Sequence, residues 1–254
     1  MIYPWAASIS SSTDKEVSIF NFQVPSDHLN EFYTKVVKEM ILHPRLDSAD
    51  FVRHLSNQRN YVDQLIRESS DEEFAKKYLE AVIFSGLKYE HLVSGTTSSL
   101  SRITLDDVRK QYAKYFSSNN VFAGVAGEYS GEFIQQLKKD LNALPSTFLR
   151  VPRNLKPNIP DGLNVTIISK PNALGSAISA GFPMDVTRSS DEFAALMVAN
   201  SWLGEHRKSY SRLYQKIREA RSMNYGDYSY IEWYENGGSN MLPPPGTPRF
   251  WNYF

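Results

Sequence analysis

The stretch SRLYQKIREARSMNYGDYSYIEWY, residues 211–234, places a basic helical pattern directly before a tyrosine-rich strand pattern. Arg218 and Tyr225 lie seven residues apart across this junction. We expect Arg218 near the end of the helix and Tyr225 on the adjoining strand. The junction therefore predicts a helix that passes directly into a strand.

The residues before this stretch predict two strands and a helix. The segments LNVTIISKP (163–171) and GSAISAGFPM (175–184) have the β-branched and alternating patterns of strands, and SSDEFAALMVANSWLG (189–204) has the pattern of a helix that ends at Gly204. A proline-rich loop then leads to an aromatic strand at Phe254. We expect the chain to be cut at both ends, because Phe-Trp-Asn-Tyr-Phe stops in mid-strand and the first residues carry no start signal.

The first half of the chain has its own strand and helix pattern. EVSIFNFQV (16–24) predicts a strand, and apolar residues at helical spacing from Leu29 to Ile41 predict an amphipathic helix. Further helices are predicted over 48–68, 71–84, 104–116 and 130–144, and NVFAGVAGEY (120–129) predicts a buried strand that ends at Gly127. Thr104 and Asp107 have capping-box spacing. The order of elements predicts an α+β fold with helices on one face of a sheet.

A proline-rich segment divides the two halves. Residues 145–162, PSTFLRVPRNLKPNIPDG, contain four prolines and no periodic pattern, which is typical of an interdomain linker. We therefore predict a first domain over 1–147, a linker over 148–162 and a second domain over 163–254.

The composition excludes several classes of function. Lys+Arg and Asp+Glu both number 28, so no net charge attracts nucleic acid. The chain has no cysteine, which excludes disulfides and thiol nucleophiles. No apolar run approaches the roughly 18 residues of a membrane span. The compartment stays open among the periplasm or another extracytoplasmic space, the cytoplasm and mitochondria.

Two long segments resemble one family of enzymes. ITLDDVRKQYAKYFSSNNVFAGVAGEY (103–129) is similar to the end of the first domain in the insulinase/pitrilysin family of zinc metallopeptidases, the inverzincins. The run LG…SRL…IRE.R…Y, from Leu203 to Tyr225, resembles the signature of the second domain of that family. The resemblance implies two related domains of the LuxS/processing-peptidase type. Each would be a mainly antiparallel sheet with helices packed on one face, and this chain would hold part of each.

The resemblance also implies a role for the opening pair. In the family, an arginine and a tyrosine at this spacing contact the backbone of a bound peptide, which makes Arg218 and Tyr225 the predicted substrate-binding residues. Arginine offers several donors in a rigid fork, and a tyrosine hydroxyl can donate to a developing oxyanion. The alternative is structural: Arg218 pairs with a carboxylate, and Tyr225 covers the core.

The zinc site of the family is incomplete in this chain. No H-x-x-E-H occurs among the 254 residues, and the resemblance places that motif upstream of residue 1. The third ligand of the family, a glutamate, falls at Gln64 or at Asp63 beside it, and the neutral amide of glutamine is a poor zinc ligand. We therefore predict no catalytic residue and no zinc ligand on this chain, although the complete family enzyme uses zinc.

Two hypotheses for function follow from the resemblance. In the first, the chain is part of a zinc metallopeptidase that binds peptide or protein substrates, with the zinc site on a dimer partner or another domain. In the second, it is a non-catalytic relative that serves as a structural or partner subunit. Retention of Arg218 and Tyr225 favours the first, and Gln64 in place of glutamate favours the second. The sequence leaves open whether the chain belongs to an active enzyme.

Overall fold

The structure, a computed structural model, describes residues 2–15, 17–147, 161–171, 173–184, 186, 190–205, 208–223, 226–232 and 250–253. Helices and strands are mixed in the described residues, in agreement with the predicted α+β class. They belong to two compact units. Unit 1 comprises the described residues of Met1–Ser12, Ile19–Arg59 and Thr97–Arg153. Unit 2 comprises those of Thr13–Ser18, Asn60–Thr96 and Asn154–Phe254.

The N-terminal region begins with a pair of hydrogen-bonded strands, β1 (Ser8–Thr13) and β2 (Ser18–Gln23). The main chain turns between them, where the backbone N–H of Asp14 donates to the carbonyl oxygen of Val17 over 3.0 Å. The strand predicted over 16–24 is confirmed as β2.

The predicted helices are confirmed in order and close to their predicted limits. The first, α1, consists of three consecutive stretches: Leu29–Phe32, π-helical Tyr33–Val37 and Lys38–Leu42. The second, α2, consists of α-helical Ser48–Asn60 and π-helical Tyr61–Ser69. The next four are α3 (Asp71–Ile83), α4 (Thr97–Leu100), α5 (Leu105–Tyr115) and α6 (Gly131–Asn142), of which the short α4 was not predicted from the sequence. The predicted capping box is present, since Thr104 and Asp107 exchange hydrogen bonds at the start of α5.

The core of unit 1 forms where α1 packs against α6. Phe32, Tyr33, Val37 and Phe133 are all buried there. The rings of Tyr33 and Phe133 meet edge to face, with centroids 5.2 Å apart, a favoured arrangement of aromatic pairs. Burial of these four side chains contributes about 1.5–3 kcal/mol each to folding.

One buried carboxylate, that of Asp140, connects the two helices of this core. Asp140 of α6 accepts hydrogen bonds from the Tyr33 hydroxyl (3.0 Å) and the Gln136 amide (2.9 Å), and its other oxygen lies 3.0 Å from the Lys38 ammonium. Burial alone raises the pKa of Asp140, but these three donors outweigh burial and lower it overall. The buried charge is therefore fully compensated.

Unit 2 contains the remaining described elements. They are β3 (Gly181–Met184), α7 (Phe193–Gly204), α8 (residues 212–221, including the π-helical stretch Tyr214–Glu219), β4 (Tyr230–Glu232) and β5 (Phe250–Tyr253). The three strands form an antiparallel sheet in the order β3-β5-β4. The predicted helices over 189–204 and around Arg218 are thus confirmed.

A buried ion pair fixes the β1–β2 turn within unit 2. The Lys15 ammonium lies 2.7 Å from the carboxylate of Glu80 on α3, and it donates to the carbonyl oxygens of Tyr89 and of His91, the latter over 2.8 Å. Burial lowers the pKa of Lys15, and the negative charge of Glu80 opposes that shift. Loss of one partner would leave a buried charge unpaired, which costs about 3–5 kcal/mol.

Three predicted strands differ from the structure. Residues 121–126 form no strand, and Phe122 is 98% exposed, so the predicted burial of this segment is wrong. Residues 163–170 also form no strand, with Leu163 90% and Ile167 88% exposed. Of 175–184, only Gly181–Met184 is a strand. Strand propensity reflects packing against a neighbouring strand, so an apolar pattern without that neighbour does not produce a ladder.

The division into domains stays a prediction. Residues 148–160 of the predicted linker lie outside the described residues, and unit 2 joins residues 60–96 to the residues after 154. Among the helices that the structure describes, none combines the length and the apolar character needed to cross a bilayer.

Candidate functional site

Arg218 lies on α8, as predicted, and its side chain is half-buried. The helix begins after Ser211, which is 1% exposed and whose hydroxyl accepts from the backbone N–H of Tyr214 over 3.4 Å. Leu213 and Ile217, also half-buried, lie on the same helix. The carbon of the Arg218 guanidinium lies 4.7 Å from the centre of the Tyr214 ring. This distance is within the range of a cation–π contact.

α8 ends at Arg221, about one turn after Arg218. The backbone N–H of Ser222 donates to the Arg218 carbonyl (2.8 Å), and the N–H of Met223 donates to the Ile217 carbonyl (3.3 Å). Ser222 has a φ of 52°, in the left-handed region. The Ser222 bond and the left-handed φ form an αL helix cap, with serine where glycine is usual. The motif fixes the position at which the chain leaves the helix. Tyr225, the second predicted binding residue, lies outside the described residues.

The chain just after Tyr225 is held tightly against α7. The backbone N–H of Ser229 donates to the Gly204 carbonyl over 2.6 Å, and the Ser229 hydroxyl donates to Asn200 over 2.8 Å. A Cβ atom on Gly204 would lie 2.5 Å from a Leu213 methyl carbon and 3.0 Å from the Ser229 nitrogen. A larger residue at this position would force Leu213 or the chain at Ser229 to shift. Gly204, the glycine of the LG pair in the sequence signature, thus lies where α7 contacts α8 and the segment that follows Tyr225.

A second contact holds the same segment against α3. The Lys76 ammonium donates to the Tyr228 hydroxyl over 2.8 Å and lies 5.0 Å from the centre of the Tyr228 ring. Lys76 also pairs with Glu72 (2.6 Å) and Glu73 (3.1 Å). Burial lowers the pKa of Lys76, but hydrogen bonds to the two carboxylates outweigh burial and raise it overall. Lys76 therefore stays charged and keeps Tyr228 in place.

Asp227 adds a negative charge to the surroundings of Arg218. One of its carboxylate oxygens is buried and has no hydrogen-bond partner in the part of the chain that the structure describes. Burial raises the pKa of Asp227, while a hydrogen bond from its own backbone and the positive charge of Arg218 partly oppose the rise. A buried carboxylate without a full set of partners costs free energy, and such groups occur frequently at functional sites.

The predicted third-ligand position has a different environment. Gln64 lies exposed on the π-helical stretch Tyr61–Ser69. Asp63 is half-buried, and one of its oxygens lies 3.9 Å from the Arg67 guanidinium, one turn further along the helix. Within the described residues, no three or more His, Cys, Asp or Glu side chains come together as a metal-binding group. Because zinc prefers charged or imidazole ligands, the side chains around Gln64 do not fit a zinc ion.

Several residues of this site were not predicted from the sequence. Tyr214 could have been found, because aromatic and arginine side chains four apart on a helix are neighbours. Asp227, Lys76 and the close approach at Gly204 depend on contacts between distant segments, so no local pattern reveals them.

The fold and the signature residues agree with a family model. The model described as the peptidase M16 inactive domain matches residues 102–242, which is more than half of the chain. The chain belongs to this family. The predicted resemblance to the insulinase/pitrilysin peptidases is thereby confirmed.

Similar proteins are known by sequence in two bacteria. The chain is 22% identical to the "Uncharacterized zinc protease YmxG" of Bacillus subtilis over 232 residues, which cover 91% of this chain and 54% of that protein. It is 25% identical to the "Non-peptidase homolog YmxG" of Helicobacter pylori over 138 residues, which cover 53% of this chain and 32% of that protein. The chain thus spans about half the length of the first relative and a third of the second.

Solved structures share the fold. A peptidase M16 inactive domain from Pseudomonas fluorescens has a TM-score of 0.72 at 16% identity, covering 99% of this chain and 57% of that one. A chain of complex III2 from Candida albicans has a TM-score of 0.63 at 14% identity, covering 98% and 57%. At these identities the likeness establishes the fold alone.

Proposed function

We propose that the chain is part of the non-zinc half of an M16-family peptidase and that this half binds an extended peptide through Arg218 and Tyr225. The zinc site then lies on a partner subunit or on sequence outside these residues. The observation that carries the proposal is the setting of Arg218, a half-buried guanidinium stacked on Tyr214 at the end of α8. The segment after Tyr225 is anchored to Gly204 and Lys76.

The chemistry of the pair suits a peptide backbone. An arginine fork can donate two hydrogen bonds to carbonyl oxygens, and it remains charged at every working pH. The Tyr225 hydroxyl can donate to the oxyanion that develops on the scissile carbonyl, an interaction worth about 2.7–4 kcal/mol. Both groups bind and orient the peptide. The residues around Gln64 do not fit the metal, so the zinc for the hydrolytic step would be held elsewhere in the complete enzyme.

The complete fold would consist of two related domains. We assign 1–147 to the first, 148–162 to a linker and 163–254 to the second, each a mainly antiparallel sheet with helices on one face. The likeness to solved M16 structures supports this organisation, since it extends over 99% of the chain. Limited proteolysis should cut first within 148–162, and initial cleavage inside 60–96 instead would contradict the division.

Peptide affinity of the full-length protein tests the role of the pair. With fluorescein-labelled, unstructured peptides of mixed sequence, Arg218→Ala should weaken binding about 10- to 100-fold, because a hydrogen bond to a charged group contributes about 1.5–3 kcal/mol. Arg221→Ala removes an exposed arginine from the same helix and should change affinity less than about twofold. Equal binding by Arg218→Ala and the wild type would overturn the proposal. In the assembled enzyme, Tyr225→Phe should slow cleavage about 100-fold.

A second candidate function is that of a structural subunit without peptidase activity. The exposed Gln64 and the pairing of Asp63 with Arg67 favour it. The name of the Helicobacter relative, "Non-peptidase homolog", and the fold shared with a complex III2 chain lend further support. This candidate predicts that the protein co-purifies in a stable assembly that neither binds nor cleaves the labelled peptides. Peptide binding that depends on Arg218 would exclude it.

A further inference from the structure

The helix α3 belongs to the first half of the sequence, and within unit 2 it contacts residues of the second half. At its start, the Lys170 ammonium lies 2.7 Å from the Asp71 carboxylate. Beyond its end, Tyr228 packs against the buried side chains of Phe84 and Tyr89. Lys170 follows Asp71 by 99 residues, so these contacts join segments that no local pattern relates.

Lys76 makes a polar contact between α3 and the second half. Its ammonium donates to the Tyr228 hydroxyl over 2.8 Å, and it pairs with the Glu72 and Glu73 carboxylates over 2.6 Å and 3.1 Å. The Lys76 side chain is only 16% exposed. A charged donor away from water makes a stronger hydrogen bond than a neutral donor does. The Tyr228 hydroxyl thus accepts from an ammonium whose position two carboxylates restrain.

The segment 226–229 is held from two sides. Tyr228 contacts α3, and the next residue, Ser229, donates its backbone N–H to Gly204 of α7 over 2.6 Å. Tyr225, which we propose binds the peptide, directly precedes this segment in the sequence. Ordering a loop on binding costs entropy, and a segment that is already ordered in the free protein avoids that cost.

We propose that Lys76 is a positioning residue for peptide binding: through the Tyr228 hydroxyl, its ammonium holds residues 226–229 in the arrangement that the peptide site requires. The inference rests on the proposed function and adds to it a residue from the first half of the sequence. α3 would then complete a site that the sequence signature assigns to the second half alone.

Lys76→Met removes this contact with little damage to the fold. The variant keeps the apolar stem and lacks the ammonium. The two carboxylates that lose their partner, those of Glu72 and Glu73, are half exposed. Solvent therefore stabilises their charge, and no buried charge is left unpaired.

A double-mutant cycle in the full-length protein tests this role with the labelled peptides. Lys76→Met and Tyr228→Phe should each weaken affinity about three- to tenfold, because the segment then adopts the binding arrangement for only part of the time. The double variant should bind no more weakly than either single variant, because both changes remove the same contact. Lys76→Arg should bind within about twofold of the wild type, since arginine can donate to the same hydroxyl.

The matched control is Lys35→Met. Lys35 pairs with Glu31 of α1 over 2.6 Å, with the same spacing and distance as Lys76 and Glu72, but it lies in unit 1. This change should leave peptide affinity unchanged. Urea denaturation of every variant gives its folded fraction. An affinity loss that merely follows the folded fraction would overturn the positioning role.

Hydrogen exchange without ligand separates this inference from the proposed function. In Lys76→Met, the amides of residues 226–229 should exchange faster than in the wild type, and in Lys35→Met they should not. Unchanged exchange in Lys76→Met, additive effects in the cycle, or full peptide affinity in Lys76→Met while Arg218→Ala is impaired would overturn the positioning role alone. Normal binding by Arg218→Ala would overturn the proposed function and the positioning role together.

Discussion

Two π-helical stretches of unit 2 carry the residues on which the functional hypotheses depend. Tyr61–Ser69 holds Gln64 and Asp63, and Tyr214–Glu219 holds Arg218. Gln64 is exposed to solvent, whereas Arg218 is half-buried against an aromatic ring. The similar backbone shows that local helix geometry does not distinguish the two positions. The difference lies in what the rest of unit 2 brings to each helix.

The two stretches differ in their surroundings. The segment next to α8 is held by Gly204 and Lys76, and it adds a partly buried carboxylate at Asp227. The charged side chain beside Gln64, Asp63, pairs with Arg67 of its own helix. A pair of this kind contributes about 0.3–0.5 kcal/mol and leaves the position an ordinary helix surface. The four changes below test this contrast.

The largest effect is expected from Gly204→Ala. Its Cβ atom would collide with Leu213 and with the Ser229 backbone, so overpacking should cost about 1–3 kcal/mol of unfolding free energy. The same change should weaken peptide binding by displacing the segment after Tyr225. Urea denaturation followed by circular dichroism measures the loss.

The matched control for this change is Gly131→Ala at the start of α6, where an added Cβ meets no atom within 4 Å. It should leave stability within about 0.5 kcal/mol of the wild type. Equal stability of Gly204→Ala and Gly131→Ala would show that α7 and the chain at Ser229 are not closely packed.

Asp227→Asn should change how stability depends on pH. Burial raises the pKa of Asp227 in the folded protein, so the folded state keeps a proton that the unfolded state has lost. Stability therefore falls as pH rises from about 3.9, the ordinary pKa of aspartate, through the raised folded pKa. The variant lacks this loss and should be up to about 1 kcal/mol more stable at pH 7.

Unfolding free energies of both proteins between pH 3 and pH 8 measure the effect of Asp227→Asn. Taking the difference removes the contributions of the other carboxylates, such as Asp50 and Asp107, whose pKa values hydrogen bonds lower. A difference that stays constant over this pH range would contradict the buried position of Asp227.

Ser222→Gly should stabilise the end of α8 slightly. Ser222 has a φ of 52°, a conformation that costs an L-residue about 1–2 kcal/mol, whereas the greater chain entropy of glycine costs about 0.5–1 kcal/mol. The net gain should be about 0.5 kcal/mol, measured by thermal unfolding. Ser70→Gly at the end of α2 should have the opposite sign. Ser70 has a φ of −133°, and its hydroxyl caps α3 through the N–H of Glu73.

The smallest effect is expected from Gln64→Glu. The position is exposed, and Asp63 already pairs with Arg67, so stability should stay within about 0.5 kcal/mol of the wild type. A glutamate at this predicted third-ligand position should not create a metal site on this chain. Elemental analysis after dialysis against zinc, with the unmodified protein as the control, should find no bound zinc in either. One zinc per chain in the variant would contradict this prediction, because it would show that the helix with Gln64 can form a metal site.

The sequence predictions succeeded where interactions between neighbouring residues decide the structure, and they failed where distant residues must meet. The helices were predicted well, because apolar spacing, the Thr104 cap and the stop at Gly204 are all local signals. The strands predicted over 121–126 and 163–170 were wrong, because a strand also requires a neighbouring strand from elsewhere in the chain, and an apolar pattern does not supply one. The motif predicted the helical position of Arg218, and its binding role stays a prediction. Asp227 and Lys76 became evident only through their contacts, whereas the spacing of Tyr214 from Arg218 already makes them neighbours on one helix.

By itself the sequence determined the helix order, the membership of the M16 family and the position of Arg218 on a helix, because periodicity and motif spacing are properties of neighbouring residues. Tertiary structure alone decided that Gly204 closely approaches Leu213 and Ser229, that Lys76 donates to Tyr228, and that Gln64 faces solvent. These features depend on which distant side chains come within a few ångströms of each other, a result of packing the whole unit.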